Sequence, residues 1–231
     1  MKTARLILLA AAAVLSVGAT KPAPKPAAAA KGNWTATVVR TPADAVRVGN
    51  PNARVKVIEY VSYTCSSCSR FEMEASSELA LGFIRPGTGS VEYRPYFRNE
   101  IDIAATLMAL CGPVDKFTGN HALLLRSQAN WNKSVSREQQ QRWIYGEFGD
   151  RMRAIATDLK LYDLFQQRGY DRPTLDRCLN DRALADRLAR ENTVADDQIG
   201  ITGTPSFLIN GKLQPVHDWA SLRKLLLAAT R

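Results

Sequence analysis

The apolar pattern in the first half of the chain predicts two strands separated by a helix. Val55–Val61 is a mostly apolar run rich in β-branched residues, which is typical of a buried strand. A helical pattern follows at residues 69–83 and ends at a stretch containing proline and glycine. The second predicted strand occupies residues 91–97.

The middle of the chain has a different pattern. Apolar residues recur at every third or fourth position, which is typical of helices. Gly112-Pro113 and Gly169 end two of these patterns. The segments with helical spacing are residues 104–111, 152–165, 175–179 and 184–199. We therefore predict a helical domain at residues 101–199.

Strand character returns near the carboxyl end of the chain. Ser206–Ile209 is a predicted strand, and Asn210-Gly211 is a favoured two-residue hairpin turn, so residues 212–216 should pair back on it. Asp218 is a typical cap for a final helix. The complete order predicts an α/β fold whose sheet comes from residues 33–100 and 200–231, with the helical domain inserted between them.

The first residues of the chain read as a secretory signal rather than as part of the fold. Lys2 and Arg5 precede an apolar run at residues 6–17, and small residues follow it, so we predict a signal peptide at residues 1–19. A permanent membrane anchor is the alternative, but the run is shorter than the roughly 20 residues that span a bilayer. Residues 20–32 are rich in Ala, Pro and Lys, which predicts a linker. We therefore expect export to the periplasm.

The net charge of +9 is less informative than it looks. Five of the basic residues precede residue 33 and no acidic residue does, which leaves a net charge of +4 for the rest of the chain. Nucleic-acid binding needs clustered basic residues, and we expect none here.

Cys65-Ser66-Ser67-Cys68 is the strongest candidate for chemistry. Two cysteines three positions apart at the start of a helix can form a disulfide, and the helix amino terminus favours the thiolate of the first. The alternative is half of a zinc site, which needs two further Cys or His ligands with suitable spacing. The other cysteines and the two histidines are isolated in the sequence, so we expect neither a metal nor a cofactor.

Glu59 lies six residues before Cys65, on the same strand face as Val57 and Val61. If this strand is buried on both faces, the carboxyl group should have a raised pKa and could relay a proton to the cysteine pair. The alternative is a solvated glutamate on an edge strand.

Thr204-Pro205 comes immediately before the strand at Ser206. Proline cannot donate a hydrogen bond in a sheet and is unusual there unless it shapes a turn. A cis bond would expose the backbone of Thr204 to an extended substrate, but the local sequence does not establish that isomer.

These features together resemble the exported DsbA-like thiol–disulfide oxidoreductases of bacteria, which belong to the thioredoxin superfamily. The resemblance covers residues 46–230 and rests on VKVIEYVSYTCSSCSRFE, the helical segment and GITGTPSFLINGK. It implies a thioredoxin fold with an inserted helical domain. It also implies that Cys65 is the nucleophile and Cys68 the resolving thiol, with a cis Thr204–Pro205 bond forming a substrate cradle.

One feature departs from the strongly oxidising members of that family, which carry Pro-His between the cysteines. This chain has Ser66-Ser67, whose hydroxyls carry no charge. We therefore expect redox activity with a weaker oxidising power.

Cys111 and Cys178 lie on predicted apolar helix faces, where either could be a buried free thiol. An even pair left over in an exported protein favours a structural disulfide, and relatives in this broad family often carry a second pair. Closing a loop of that length stabilises a protein by about 4 kcal/mol in the chain-entropy model.

The leading functional prediction is an enzyme that introduces disulfides into unfolded or reduced exported proteins and is reoxidised by a membrane-bound redox partner. An isomerase or reductase is the alternative within the same class. A different class is a non-enzymatic module that binds peptides or copper, although the chain lacks Met-rich or His-rich tracts. We expect a monomer, because no obvious dimerisation domain precedes the core.

Overall fold

The computed structural model describes residues 32–230, which form a six-stranded mixed sheet with helices on both faces. The strand order is β1-β2-β4-β3-β5-β6. The strands are β1 (Val38–Arg40), β2 (Val46–Gly49), β3 (Val55–Val61), β4 (Gly89–Pro95), β5 (Ser206–Ile209) and β6 (Lys212–Gln214). Only β3 and β4 run parallel within this sheet, and the other neighbours are antiparallel. The predicted α/β class is confirmed.

Helix α1 follows β3 directly, and the other helices lie mainly between β4 and β5. They are α1 (Ser66–Glu78), α2 (Glu100–Ala109), α3 (Phe117–Arg126), α4 (Gln128–Trp131), α5 (Arg137–Ile144), α6 (Phe148–Asp158), α7 (Leu161–Gln166), α8 (Arg172–Leu179), α9 (Arg182–Val194) and α10 (Trp219–Ala229). The π-helical turns Leu79–Ile84 and Ala195–Ile199 extend α1 and α9. The helices between β4 and β5 thus occupy nearly the same residues as the predicted insertion.

Two apolar clusters cover opposite faces of the sheet. On one face, Val55 and Val57 of β3 pack with Phe71 of α1 and Leu222 of α10. On the other face, Tyr60 packs with residues that follow α9. Strand β3 is therefore buried on both sides, as its continuous apolar run predicts.

The largest apolar cluster joins the helical insertion to the sheet. It contains Val61, Cys65 and Cys68 together with side chains from α2, α3, α6, α8 and α9. Because one cluster includes residues from both parts of the chain, the inserted helices and the start of α1 share a core.

Some elements differ from the sequence prediction. Strands β1 and β2 are short and were not predicted, because they are stabilised by pairing of β1 with β2 and of β2 with β4. The helix predicted at residues 152–165 is two helices, since Lys160 between α6 and α7 has a left-handed backbone with φ of 59°. At Gly49, φ is 112° and an added Cβ would lie 2.9 Å from the carbonyl oxygen of Gly89, so this strand end requires glycine.

The predicted signal peptide at residues 1–19 and nearly all of the predicted linker lie outside the described residues. Within residues 32–230, no helix is both long and apolar enough to cross a bilayer.

Candidate active site

The two cysteines lie at the junction between β3 and α1. Strand β3 ends at Val61, three residues form a loop, and Cys65 is the amino-terminal cap residue of α1. Cys68 lies one turn into the helix, so both residues are close to its unpaired backbone N–H groups. Both are free thiols in the structure. Cys65 has 7% of its surface exposed, whereas Cys68 is completely buried.

The environment of Cys65 favours its thiolate. A hydrogen bond from the Cys68 thiol is the main cause that lowers the pKa of Cys65 to about 5, against the opposing effect of burial. The Thr204 hydroxyl and the backbone N–H groups of Ser67 and Cys68 lower it further. The thiol itself donates to the carbonyl oxygen of Thr204 at 3.1 Å. In this dithiol form the buried Thr204 hydroxyl has no partner within residues 32–230, so it is available to a thiolate.

Cys68 has the opposite electrostatic environment. Burial raises its pKa well above the ordinary value for cysteine, and the neighbouring Cys65 and Glu59 raise it further. A backbone hydrogen bond from Ser62 acts in the other direction. The pair is therefore polarised, with an outer sulfur that ionises easily and an inner sulfur that holds its proton.

The peptide bond between Thr204 and Pro205 is cis. It brings the Thr204 carbonyl to the Cys65 sulfur immediately before β5, which pairs with β3. The Pro205 carbonyl accepts a hydrogen bond from His217 at 2.8 Å. The structure thus brings Thr204 and Pro205 together with the cysteine pair, although 139 residues separate Cys65 from Thr204 in the sequence.

Glu59 lies at the centre of the sheet, between Tyr93 of β4 and Phe207 of β5. Only 2% of its surface is exposed, so the predicted burial is confirmed and the edge-strand alternative is wrong. Burial raises the pKa of its carboxyl group well above the ordinary value, and the negative charge of Glu72 adds to this effect. A negative charge on Glu59 in turn raises the pKa of Cys68.

A second buried carboxylate, Glu72, was not predicted from the sequence. It lies on α1 one turn after Cys68, and this four-residue spacing is the sequence signal that could have revealed it. Burial raises its pKa, and an ion pair with Arg126 at 3.0 Å opposes that effect. His121 is buried beside Glu72, and burial lowers its pKa to about 3. These three side chains line a cavity of about 430 Å³ between α1 and α3.

Side chains from the helical insertion hold the loop that precedes Cys65. The carboxylate of Asp102 on α2 accepts hydrogen bonds from Ser62 and Thr64. Gln128 on α4 donates to the carbonyl oxygens of Tyr63 and Cys65 at 2.7 and 3.0 Å. Neither Asp102 nor Gln128 has a sequence signal that connects it with the cysteine pair.

Cys111 and Cys178 form a disulfide with an S–S distance of 2.07 Å. The bond joins the residues after α2 to α8, across 67 positions of sequence. Cys111 is buried and Cys178 is half-buried, so the bond lies within the helical insertion.

The comparison with known protein families fits this geometry. A family model described as thioredoxin matches residues 41–228, which include both cysteines and the cis proline. This chain belongs to the thioredoxin family. The match begins after β1 and covers strands β2 to β6 together with the helices between β4 and β5.

Solved structures of similar proteins extend the comparison. This thioredoxin-family protein is 44% identical to a protein-disulfide isomerase from Novosphingobium aromaticivorans, with a TM-score of 0.77 over 80% of this chain and 96% of that one. The structure of α-DsbA1 from Wolbachia pipientis is 18% identical, with a TM-score of 0.62 over 80% and 89% of the two chains. At that identity the likeness concerns the fold alone. The predicted thioredoxin superfamily and fold are confirmed, and the chain shares its fold with this DsbA structure.

Curated relatives include a protein of Rickettsia prowazekii that carries the provisional name protein-disulfide oxidoreductase. It is 29% identical over 166 residues, which are 71% of this chain and 53% of that protein. A relative from Rickettsia conorii with the same provisional name is 30% identical over 166 residues, or 71% and 52% of the two chains. This chain therefore spans about half the length of the curated relatives it matches.

Proposed function

We propose that this thioredoxin-family protein is a periplasmic thiol–disulfide oxidoreductase that introduces disulfides into exported proteins. The observation that carries the proposal is the polarised cysteine pair beside a cis proline. Cys65 has a pKa of about 5, whereas the pKa of Cys68 is raised well above the ordinary value. This difference assigns the two roles. Cys65 is the sulfur that forms the mixed disulfide with the substrate and is released from it as a thiolate, and Cys68 is the resolving thiol.

The exchange starts from the oxidised pair. A substrate thiolate attacks the Cys65 sulfur, a mixed disulfide forms, and Cys68 leaves and takes up a proton. A second substrate thiolate then attacks the substrate sulfur of the mixed disulfide, which forms the substrate disulfide and releases Cys65 as a thiolate. Two electrons have passed to the protein, which is left as the dithiol. A membrane-bound redox partner removes these electrons in the proposed cycle.

The cis Thr204–Pro205 bond provides the proposed substrate cradle. The Thr204 carbonyl lies within hydrogen-bond distance of the Cys65 sulfur, so a substrate bound at this sulfur would lie beside the Thr204 backbone. An extended segment satisfies this condition by pairing its own backbone with that of Thr204. The proposed substrates are therefore unfolded or reduced proteins, met by the monomer after export by the predicted signal peptide.

Isomerisation is a second candidate function, and one observation favours it. The relative at 44% identity is named a protein-disulfide isomerase. Isomerisation uses the same Cys65 thiolate but begins from the dithiol rather than the disulfide. A refolding assay that starts from a scrambled, fully oxidised substrate tests isomerisation, and one that starts from a reduced substrate tests oxidation.

The third candidate, a peptide-binding or copper-binding module, predicts a different result. A module of this kind would bind Cu(I) or peptide tightly without catalysing turnover. Metal titration of the reduced protein, compared with turnover in both refolding assays, separates the module from the enzyme.

The residues between the cysteines should set the redox potential. The Cys65 pKa of about 5 lies between the values of about 7 for thioredoxin and 3.5 for DsbA. We therefore expect a potential between about −270 and −120 mV, measured against glutathione. Replacing Ser66-Ser67 with Pro-His should raise the potential and lower the Cys65 pKa together. If the two quantities move in opposite directions, thiolate stability does not control the oxidising power.

Glu59 should assist proton transfer at Cys68. When Cys68 attacks a mixed disulfide formed at Cys65, it must first lose its proton. Glu59→Gln keeps the size of the side chain but cannot accept that proton, so we expect this resolving step to slow about a hundredfold. The measurement is the rate of mixed-disulfide resolution as a function of pH. An unchanged pH–rate profile would remove Glu59 from the mechanism.

The same substitution should stabilise the fold at neutral pH. The pKa of Glu59 is raised in the folded state, so its contribution to stability is complete below the unfolded value and is lost as pH rises through the folded value. Glutamine carries no charge at any pH. Glu59→Gln should therefore increase the free energy of unfolding above about pH 4.5, and the gain should grow with pH. Slower resolution together with higher stability distinguishes a proton-transfer role from damage to the fold.

A further inference from the structure

Asp102 is completely buried on α2, and its carboxylate accepts hydrogen bonds from four donor groups. Ser62 Oγ lies 3.0 Å from both carboxylate oxygens. The backbone N–H and the hydroxyl of Thr64 donate at 2.9 and 3.1 Å, and the Arg98 N–H donates at 2.9 Å. Three of the four donors therefore belong to the loop between β3 and Cys65.

The two backbone donors determine which side chain the position accepts. The Thr64 N–H points to Oδ1 and the Arg98 N–H points to Oδ2. A backbone N–H can only donate, so both terminal atoms of residue 102 must be acceptors. Among residues 32–230 no basic side chain forms an ion pair with Asp102, so these hydrogen bonds alone oppose the burial that raises its pKa.

The loop that Asp102 holds contacts both cysteines. The Cys65 N–H donates to the Ser62 carbonyl at 3.3 Å, and the Ser62 backbone forms a hydrogen bond that favours the Cys68 thiolate. Gln128 holds the opposite side of the same loop through the carbonyls of Tyr63 and Cys65. The position of the loop therefore determines the contact between the two sulfurs and the contact of Cys65 with Thr204.

We propose that Asp102 is a positioning residue for the cysteine pair, which holds the Ser62–Thr64 loop so that Cys65 keeps its contacts with Cys68 and Thr204. The inference rests on the proposed exchange function. Asp102 touches neither the substrate nor the reacting sulfurs in this scheme. It acts through Ser62 and Thr64, so its removal changes the chemistry of Cys65 indirectly.

Asp102→Asn tests the proposal with almost no change in size. Whichever way the amide is turned, its NH₂ group faces the backbone N–H of either Thr64 or Arg98, and one hydrogen bond becomes a repulsive contact. The loop should shift, and Cys65 should lose part of the hydrogen bonding that stabilises its thiolate. We expect the Cys65 pKa to rise by about one unit, a tenfold loss in the ionisation constant, measured from the ultraviolet absorbance of the thiolate against pH.

Thr64→Val provides a milder variant, because it removes the hydroxyl donor and keeps the N–H. It should raise the Cys65 pKa by less than Asp102→Asn does. The double variant should show a non-additive shift, since both residues act through one loop. Asp186→Asn is the matched control: this exposed carboxylate pairs only with Arg182 within residues 32–230, and its replacement should leave the Cys65 pKa unchanged.

An unchanged Cys65 pKa in a folded Asp102→Asn protein would overturn the proposal. If that variant does not fold, Thr64→Val decides the question, and an unchanged pKa there has the same meaning. The absorbance titration needs no substrate, so it is independent of the proposed function. Inactivity of the wild-type protein in exchange assays would reject the enzyme, whereas the effect of Asp102 on the thiolate would still be measurable.

Discussion

Cys65→Ser should abolish both the reduction of insulin and the oxidative refolding of a reduced substrate. For a thiol with a pKa of about 5, the thiolate exceeds the protonated thiol by about a hundredfold at pH 7. The thiolate is the reacting species. A serine hydroxyl is not ionised at this pH and cannot form a disulfide. The expected rate is therefore that of the solution without protein.

Cys68→Ser should produce a different defect. Cys65 can still attack a substrate disulfide, but the mixed disulfide has no resolving thiol. The adduct should accumulate and be visible as a higher-mass band on a non-reducing gel that disappears on reduction. The exposed residue Ser134 provides the control Ser134→Ala, which should behave like the wild type in every assay.

The pH dependence of alkylation completes this test. In the reduced wild-type protein, the rate of Cys65 alkylation should rise through a midpoint at about pH 5. Buried Cys68 should not react until the pH is far higher, because its pKa is raised by burial. If the wild-type and Cys65→Ser proteins are equally inert in both exchange assays, the enzyme is rejected in favour of the binding module.

Removal of the Cys111–Cys178 disulfide should have the largest effect on stability. The bond closes a sequence separation of 67 residues, and the chain-entropy model gives a loss of about 4 kcal/mol in the free energy of unfolding. The Cys111→Ala/Cys178→Ala double variant is preferable to a single substitution, which would leave a thiol able to pair wrongly with Cys65. Denaturant unfolding of the oxidised proteins measures the difference.

Two results would contradict a structural role for this disulfide. One is alkylation of Cys111 and Cys178 in the native protein without prior reduction, which would mean that the thiols are free. The other is an unfolding free energy of the double variant equal to that of the wild type. Replacement of both residues by serine is a useful comparison, since a hydroxyl at the buried Cys111 position adds a desolvation penalty that alanine avoids.

The sequence predicted those helices and strands whose formation depends on residues that are close together along the chain. Strands β3 and β5 have the predicted bounds, because a run of apolar residues next to turn residues is visible without knowledge of the partners. Helix α1 begins three residues earlier than predicted, since Cys65 itself is the cap. Strand β1 has only three residues, and its formation depends on pairing that no local pattern reveals.

The candidate site divides in the same way. Cys65, Cys68, Thr204 and Pro205 stand in short motifs, so the amino-acid sequence alone was enough to indicate them. Asp102 and Gln128 were not predicted, because only the packing of α2 and α4 against the loop brings them there. A buried acceptor of this kind looks in the sequence like any aspartate near a helix start, where the residue type is common.

The shared apolar cluster of Cys65, Cys68 and the inserted helices limits how this protein can be modified by engineers or by recombination. The helical segment cannot be removed as an independent unit, since its deletion would expose the apolar side chains around the cysteines. A chimera that exchanged the segment with that of a distant relative would also have to exchange the matching surface of β3 and α1. A transfer of substrate preference between such proteins therefore requires that the inserted helices and the surface of β3 and α1 that they contact are exchanged together.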